Sequence, residues 1–246
     1  MNALSQSASL SYLPLGDQTV MIRFENRLSA EVNSRVRSFA HVITERKIAG
    51  VERLIPAFNS LAVCYNPVVI SYQELVDELK ALEGGISKEL GTNGKTVCIP
   101  VTFGGTYGPD LPEVSEKTGL PPEEVVRILQ SKPYLVYMVG FIAGFPYCGD
   151  IDERLVLPRR ATPRLKIPKG TIAIANQQLG LYTIESPGGW HLVGWTPMET
   201  FHPYAEPPSL LVSGDYVQCI PISAEEADAW DEQRQRKWDQ EWNSPR

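Results

Sequence analysis

Proline and glycine dominate one long stretch of this sequence. Residues 140–214 contain nine prolines and nine glycines in 75 positions. Because both residues disfavour helix interiors, and proline also lacks a backbone donor, the stretch excludes long helices and favours short strands joined by turns. The strands predicted in and around it cover residues 134–139, 171–175, 180–184, 191–194 and 216–221. The pattern indicates a small closed β-barrel or sandwich.

The first hundred residues follow a different pattern, in which strands and amphipathic helices alternate. The predicted elements are a strand at 19–25, a helix at 29–46, strands at 51–56 and 61–65, a helix from Ser71, a loop at 91–94 and a strand at 96–103. Apolar residues recur at helical spacing from Val32 to Ile43, which supports the first helix. The β-α-β-β-α-β order predicts a ferredoxin-like, split β-α-β arrangement over about residues 10–102.

Length and pattern together predict an α+β protein, since 246 residues suffice for two modest domains. We expect a ferredoxin-like domain at residues 1–94, a β-barrel domain at 95–222 and an acidic helical tail at 223–246. Two short helices, at 109–118 and 121–130, are expected to precede the glycine-rich stretch.

The tail carries three tryptophans at separations that are multiples of four. Trp230, Trp238 and Trp242 therefore form a semi-continuous aromatic face on a helix. Two interpretations remain open, docking onto the chain's own body or binding a partner.

Composition excludes several classes of protein. A net charge of -6 argues against a nucleic-acid binder, which needs clustered Lys and Arg. The N-terminus lacks the basic and apolar regions of a secretory signal, and the longest apolar stretch, residues 135–147, is too short to span a membrane. We expect a cytoplasmic, soluble protein without a membrane segment.

Cysteine and histidine spacing gives no sign of a metal site. The four cysteines lie far apart without a C-x-x-C pair, and the three histidines have no metal-ligand spacing. Reduced thiols and no bound metal are therefore expected.

The densest signal for a binding site is residues 140–147, GFIAGFPY. Glycines let the backbone approach a ligand while aromatic rings form apolar walls, although the same residues also fill tight barrel corners. A basic cluster follows in a proline-rich loop and consists of Arg159, Arg160, Arg164 and Lys166. Guanidinium groups suit a carboxylate or phosphate ligand; the alternative is a solvated loop that Asp150, Asp152 and Glu153 neutralise.

Catalytic groups are harder to find. His191, within the segment at 186–197, is a weak candidate for a general base, because its ordinary pKa suits that role, but a histidine inside a strand is more often structural. No G-x-S-x-G elbow is present, and Cys148 has no identifiable base. The phosphate-binding pattern G-x-x-x-x-G-K-[ST] is also absent.

Two segments carry a family resemblance. Residues 101–111, VTFGGTYGPDL, and the longer run at 136–197, from VYMVGFIAGFPYCGD to HLVGWTP, resemble the carboxyltransferase-type family that holds the B-type subunit of 5-oxoprolinase, allophanate hydrolase subunit 1 and a sporulation-kinase inhibitor. The resemblance covers about residues 12–222.

The resemblance implies a cyclophilin-like β-barrel as the second domain and a subunit of an ATP-dependent 5-oxoprolinase that is not active alone. It implies two partners, a C-type subunit similar to allophanate hydrolase subunit 2 and a LamB/YcsF-like A-type subunit, with ATP used by the complex and a small amide as substrate. Two alternatives stay open, namely a carboxyltransferase or allophanate hydrolase subunit in urea metabolism, and a binding protein that inhibits a sensor histidine kinase through the barrel's aromatic face.

The resemblance also implies the pocket-forming positions. The residues expected to bind substrate are Phe145, Pro146, Tyr147, Arg159, Arg164, Gln178, Gly188, Gly189, Trp190 and Thr196. Arg159 and Arg164 are expected to contact its anionic group. The chain departs from the family pattern at Gln130, Ala143, Cys148 and Leu179, and two of these changes remove a histidine and a hydroxyl from near the expected pocket.

Overall fold

A computed structural model of the chain describes residues 10–87 and 94–243. The chain divides into two compact units, residues 1–92 and 93–246. Most of the predicted loop at residues 91–94 lies outside the described residues.

Within residues 10–87, the first unit combines four strands with two α-helices and a short 3-10 turn. Its elements are β1 (Ser11–Pro14), β2 (Thr19–Arg23), α1 (Ala30–Arg46), β3 (Val51–Pro56), β4 (Ser60–Tyr65) and α2 (Tyr72–Ala81). Ser29 accepts a hydrogen bond from the backbone of Val32 and caps α1, and a reciprocal capping box between Ser71 and Glu74 begins α2. Both helix starts predicted from the sequence are confirmed.

The sheet of this unit contains a split β-α-β but differs from the expected ferredoxin-like order. Its strand order is β1-β2-β4-β3. Both β2 and β3 are antiparallel to β4, which lies between them. The edge beside β2 is occupied by β1, and not by the strand at 96–103 as the prediction had it. The short, mostly exposed β1 has no alternating pattern that would have identified it.

The second unit holds the strand at 96–103 and the later strands and α-helices. They are β5 (Thr96–Phe103), α3 (Leu111–Thr118), α4 (Pro122–Gln130), β6 (Tyr134–Val139), β7 (Pro146–Gly149), β8 (Arg164–Ile167), β9 (Thr171–Ala175), β10 (Gln178–Leu181), β11 (Ser186–Gly188), β12 (His191–Trp195), β13 (Tyr216–Pro221), α5 (Ala224–Asp228) and α6 (Glu232–Trp238). The strands β7, β8 and β11 were not predicted, because each has only three or four residues. The strand predicted at 180–184 lies two to three residues earlier, as β10.

Seven of these strands form a closed barrel in the order β10-β7-β6-β13-β5-β12-β9, which confirms the predicted barrel. β5 pairs with β13 in parallel along its first six residues. This pairing places the strand at 96–103 in the barrel. The two paired segments are distant in sequence, so no local sequence pattern could have predicted that they pair. β8 and β11 form a separate two-stranded ribbon.

Strand β9 separates two clusters of buried side chains. Ile172 and Ile174 belong to the main core of this unit, whereas Ala173 and Ala175 belong to a smaller cluster rich in aromatic rings. Successive side chains on a strand point to opposite faces. The two small alanines therefore leave space for rings on the second face.

The tail packs on the barrel through its tryptophans. Trp238 contacts Trp230 and Trp242, with ring centroids 5.7 and 5.4 Å apart. The indole N–H of Trp238 donates to the carbonyl of Cys98 in β5, at 2.8 Å. Asn243 accepts a 2.7 Å hydrogen bond from the Cys98 backbone N–H. Docking onto the chain's own body is thus confirmed.

All four cysteines are thiols that form no disulfide bond with one another, as expected. Cys148 and Cys219 are fully buried, and burial raises the pKa of both thiols, for Cys219 to about 12. Within residues 10–87 and 94–243, no helix is both long and apolar enough to cross a membrane.

The contact between Asn243 and β5 predicts a stability effect. Replacing Asn243 by Ala leaves the Cys98 N–H without its partner and should lower the free energy of unfolding by about 1–3 kcal/mol. Urea denaturation of the full chain measures the change. Gln240→Ala, at an exposed position of the same segment, is the control and should change stability by less than about 0.5 kcal/mol. Equal effects of the two changes would contradict the assigned contact.

Candidate functional site

The second unit contains a cavity of about 280 Å³. It is lined by Phe141, Phe145, Tyr147, Arg159, Pro163, Tyr182, Pro187, Gly188, Gly189 and Trp190. These residues come from four separate segments, which are the β6–β7 connection with β7, the loop before β8, the end of β10 and the β11–β12 region. The cavity is therefore a product of the tertiary fold.

Phe145 lies at the centre of an aromatic cluster that forms the cavity wall. Its ring centroid lies 4.9 Å from that of Tyr147, 5.1 Å from Tyr182 and 5.7 Å from Trp190, each in an edge-to-face arrangement. Edge-to-face contacts match the positive edge of one ring with the negative face of another. Phe145 itself is only 1% exposed. It supports the wall, and its neighbours present the remaining surface.

The absence of a side chain at Gly180 makes room for this cluster. A Cβ atom built there would lie 2.9 Å from both Cε1 of Phe145 and Cζ3 of Trp190, and closer still to Cζ of Phe145. Gly188 is confined in the same way, because a Cβ atom built there would lie 2.8 Å from Cδ1 of Ile167. The rings keep their positions because these two sites carry no side chain.

Phe141 lies at the rim and is 61% exposed. Its ring meets that of Phe145 edge to face at 5.8 Å. Its φ of 69° lies in the left-handed region, which costs a bulky residue conformational energy. Backbone strain of this kind is concentrated at ligand-binding sites.

The polar groups on the cavity wall are mainly donors. Among the described residues, the guanidinium of Arg159, the hydroxyl of Tyr182 and the indole N–H of Trp190 have no hydrogen-bond partner. Burial raises the pKa of Tyr182 to about 12, and the nearby charges of Arg159 and Arg164 oppose that rise. The hydroxyl of Tyr182 is therefore protonated at neutral pH, which leaves it able to donate.

Arg164 is held by a carboxylate outside the cavity lining. Both of its terminal nitrogens bind Asp110, at 2.9 and 2.6 Å. Asp110 is 4% exposed and also accepts a 2.7 Å hydrogen bond from the Leu192 backbone N–H. Sequence spacing gave no signal for this acidic partner, which lies 54 residues before Arg164.

The rest of the basic cluster is also paired, with the exception of Arg159. Arg160 binds Glu113 and lies 3.3 Å from Asp110, while Lys166 lies 3.1 Å from Glu185. The alternative in which Asp150, Asp152 and Glu153 neutralise this cluster is wrong. Asp150 accepts a hydrogen bond from Tyr137, and Asp152 pairs with Arg154.

His191 is a buried group that holds the loop before β8. It is 1% exposed, and its Nε2 lies 3.0 Å from the carbonyl oxygen of Pro158. One residue beyond Arg159, the Arg160 N–H donates to the carbonyl of Gly189 at 2.7 Å. His191 is not part of the cavity lining, so the geometry favours its structural interpretation.

The structure brings most of the predicted site residues together. Those that line the cavity are Phe145, Tyr147, Arg159, Gly188, Gly189 and Trp190. Those outside the lining are Pro146, Arg164, Gln178 and Thr196. Thr196, for example, is buried and accepts a hydrogen bond from the Met198 N–H at 3.1 Å.

Four lining residues are pocket-forming positions that the family resemblance implies, but they were not among the residues expected to bind substrate. They are Phe141, Pro163, Tyr182 and Pro187. All four fall within the segment that carries the family resemblance, which is the signal that points to them. The four departures from the family pattern, at Gln130, Ala143, Cys148 and Leu179, lie outside the lining. Their side chains therefore do not form the wall of this cavity.

No group of three or more His, Cys, Asp or Glu side chains with the geometry of a metal site occurs in the part of the chain that the structure describes.

Comparison with known proteins defines the class. The family model "Carboxyltransferase domain, subdomain C and D" matches residues 10–211. The chain belongs to this carboxyltransferase domain family. It is 39% identical over 229 residues to a Bacillus subtilis protein named as the B subunit of 5-oxoprolinase, and the match covers 89% of this chain and 95% of the relative.

Two solved structures share the fold. TTHA0988 has a TM-score of 0.74 and 33% identity, and the match covers 84% of this chain and 40% of that one. Urea amidolyase from K. lactis has a TM-score of 0.75 over 94% of this chain and 17% of its own. At 18% identity, this second likeness concerns the fold alone.

The Asp110–Arg164 pair predicts a large stability effect. Replacing Arg164 by Gln removes two charged hydrogen bonds from the buried Asp110 carboxylate and leaves Arg160, at 3.3 Å, as its remaining cation, which should lower the free energy of unfolding by about 2–3 kcal/mol. Lys166→Gln breaks an exposed ion pair in the same ribbon and should cost less than about 1 kcal/mol. Thermal or urea denaturation compares them, and similar small losses in both variants would refute the structural role of the pair.

Proposed function

We propose that this chain is the B-type subunit of an ATP-dependent 5-oxoprolinase, which opens 5-oxoproline to L-glutamate. The Bacillus subtilis relative that carries this name is 39% identical and is matched over 95% of its length, which supports this choice within the family. A C-type subunit similar to allophanate hydrolase subunit 2 and a LamB/YcsF-like A-type subunit would complete the enzyme.

The observation that carries the proposal is the aromatic cavity with one unpaired guanidinium. 5-Oxoproline is a small, nearly flat lactam ring with one carboxylate. Flat aromatic walls suit the ring, and Arg159 suits the carboxylate. The donors of Tyr182 and Trp190 add hydrogen bonds for the ring amide or the carboxylate.

The cavity does not fit ATP. Its volume of about 280 Å³ lies just below the range of about 300–1,000 Å³ typical of sites for drug-sized ligands. Arg159 is the only cation among the residues that line it, and the sequence has no glycine-rich phosphate loop of the P-loop type. We therefore assign the cavity to the amide and derive no step through the nucleotide.

The geometry favours a small ligand over a protein partner at this site. The kinase-inhibitor hypothesis requires an aromatic outer face, but Phe145 and Tyr182 are each 1% exposed. Phe141 is the aromatic lining residue with a largely exposed side chain. Exposed apolar area of this extent is ordinary for a soluble protein.

The proposal is tested by turnover of the assembled complex. The chain is purified with its A-type and C-type partners, and ADP release is measured with and without 5-oxoproline. We expect ADP release that depends on 5-oxoproline and matches the glutamate formed. A complex that assembles but shows no substrate-dependent release would remove this assignment.

Gly180→Ala tests whether the cavity is the site. The added Cβ should displace Phe145 and Trp190 and abolish substrate-dependent ADP release. Gly84→Ala, where a Cβ would meet open space, is the matched control and should leave turnover unchanged. If the Gly180 variant does not fold, Tyr182→Phe, which removes only a hydroxyl, should raise KM. Full turnover in folded Gly180→Ala, or an unaltered KM in Tyr182→Phe, would place the site elsewhere.

A further inference from the structure

Four cations lie within eight residues of the sequence, and the fold neutralises three of them. Arg164 binds Asp110 through two nitrogens, Arg160 binds Glu113, and Lys166 pairs with Glu185. Arg159 has no carboxylate within ion-pair distance among the described residues. The cluster that looks uniformly basic in sequence thus presents one uncompensated charge.

Hydrogen bonds fix the backbone on both sides of Arg159. The carbonyl of Pro158 is held by His191, and the N–H of Arg160 is held by the carbonyl of Gly189. The Arg160 side chain is fixed in turn by Glu113 and by Asp110, which is 4% exposed. Arg159 therefore starts from a backbone that is already in place, which reduces the entropy lost when it binds an anion.

The surroundings of Arg159 favour a single negative charge. Arg159 is itself exposed, at the edge of the cavity, and no Asp or Glu lines the cavity with it. The neighbouring walls are aromatic, and an apolar wall weakens the screening of a charge–charge contact by water. The donors of Tyr182 and Trp190 have the same polarity as the guanidinium and would add to the attraction.

We propose that Arg159 is the specificity-determining residue of this cavity, which selects a lactam with a carboxylate over the same lactam without one. Asp110 is a positioning residue that supports this selection. By binding Arg164 and Arg160 it keeps both away from the ligand and holds the loop that carries Arg159. The inference rests on the proposed function and deepens it, and it replaces the expectation that Arg159 and Arg164 both contact the anion.

The test compares 5-oxoproline with 2-pyrrolidinone, the uncharged lactam that lacks only the carboxylate. Binding of each to the full chain is followed by NMR, and KM for 5-oxoproline is measured in the assembled complex. Arg159→Gln should weaken 5-oxoproline binding by about tenfold to a hundredfold, the usual effect of a lost charged hydrogen bond. Its binding of 2-pyrrolidinone should not change. Arg159→Lys, which retains the charge but not the planar fork, should recover part of the loss.

Two control variants separate selection from general electrostatics. Lys166→Gln removes one positive charge from the same segment and should leave the preference for 5-oxoproline intact. The double variant Asp110→Asn with Arg164→Gln removes both charges of the buried pair together, so no unpaired charge remains. If Asp110 and Arg164 only position the loop, this variant keeps part of the preference for 5-oxoproline, because Arg159 is still present to bind the carboxylate. If Arg164 contacts the ligand, the preference falls as far as in Arg159→Gln.

The outcomes distinguish this inference from the proposed function. If the wild-type complex turns over 5-oxoproline but Arg159→Gln has an unaltered KM, Arg159 does not select and the function stands. If the complex shows no turnover, the function fails, and the inference survives only if the chain prefers the carboxylate ligand and loses that preference in Arg159→Gln. A wild-type chain and complex without any preference for the carboxylate would overturn the inference.

Discussion

The ion pair between Asp110 and Arg164 is the constraint on which the arrangement of the site depends. It joins the start of α3 to the β8–β11 ribbon, and Asp110 also accepts a hydrogen bond from β12. Burying a carboxylate is costly unless it is paired and fully hydrogen-bonded. Here four hydrogen bonds offset that cost, two from Arg164 at 2.9 and 2.6 Å, one from Leu192 at 2.7 Å and one from Arg160 at 3.3 Å. The same contact decides which arginine of the basic segment remains available at the cavity.

Small residues provide the space in which the aromatic wall of the cavity packs. Four aromatic rings meet around Phe145 because Gly180 and Ala173 leave the space that larger side chains would fill. Close packing of this kind leaves little freedom for the rings to rearrange. The cavity therefore has rigid apolar walls and a single cationic edge. A rigid site with few polar groups suits the recognition of a small ligand.

Relatives of this chain carry the names of different enzymes, 5-oxoprolinase and urea amidolyase, so the site and not the fold has to identify the function. The likeness to urea amidolyase shows how far the fold extends and says nothing about substrate. Charge distinguishes urea, which is neutral, from 5-oxoproline and allophanate, which both carry a carboxylate. The unpaired guanidinium of Arg159 is therefore the feature that bears most directly on the choice.

Local physics determined much of this protein from sequence alone. The density of proline and glycine after residue 139 leaves short strands as the available regular structure, and Ser29 and Ser71 begin their helices because their hydroxyls satisfy free backbone N–H groups. Only the tertiary structure determined which segments distant in sequence pair with each other. The strand at 96–103 pairs with one 120 residues later, and Arg164 finds Asp110 across 54 residues. A strand or a charged side chain does not specify its partner by its own pattern, because the fold determines which edges and which charges meet.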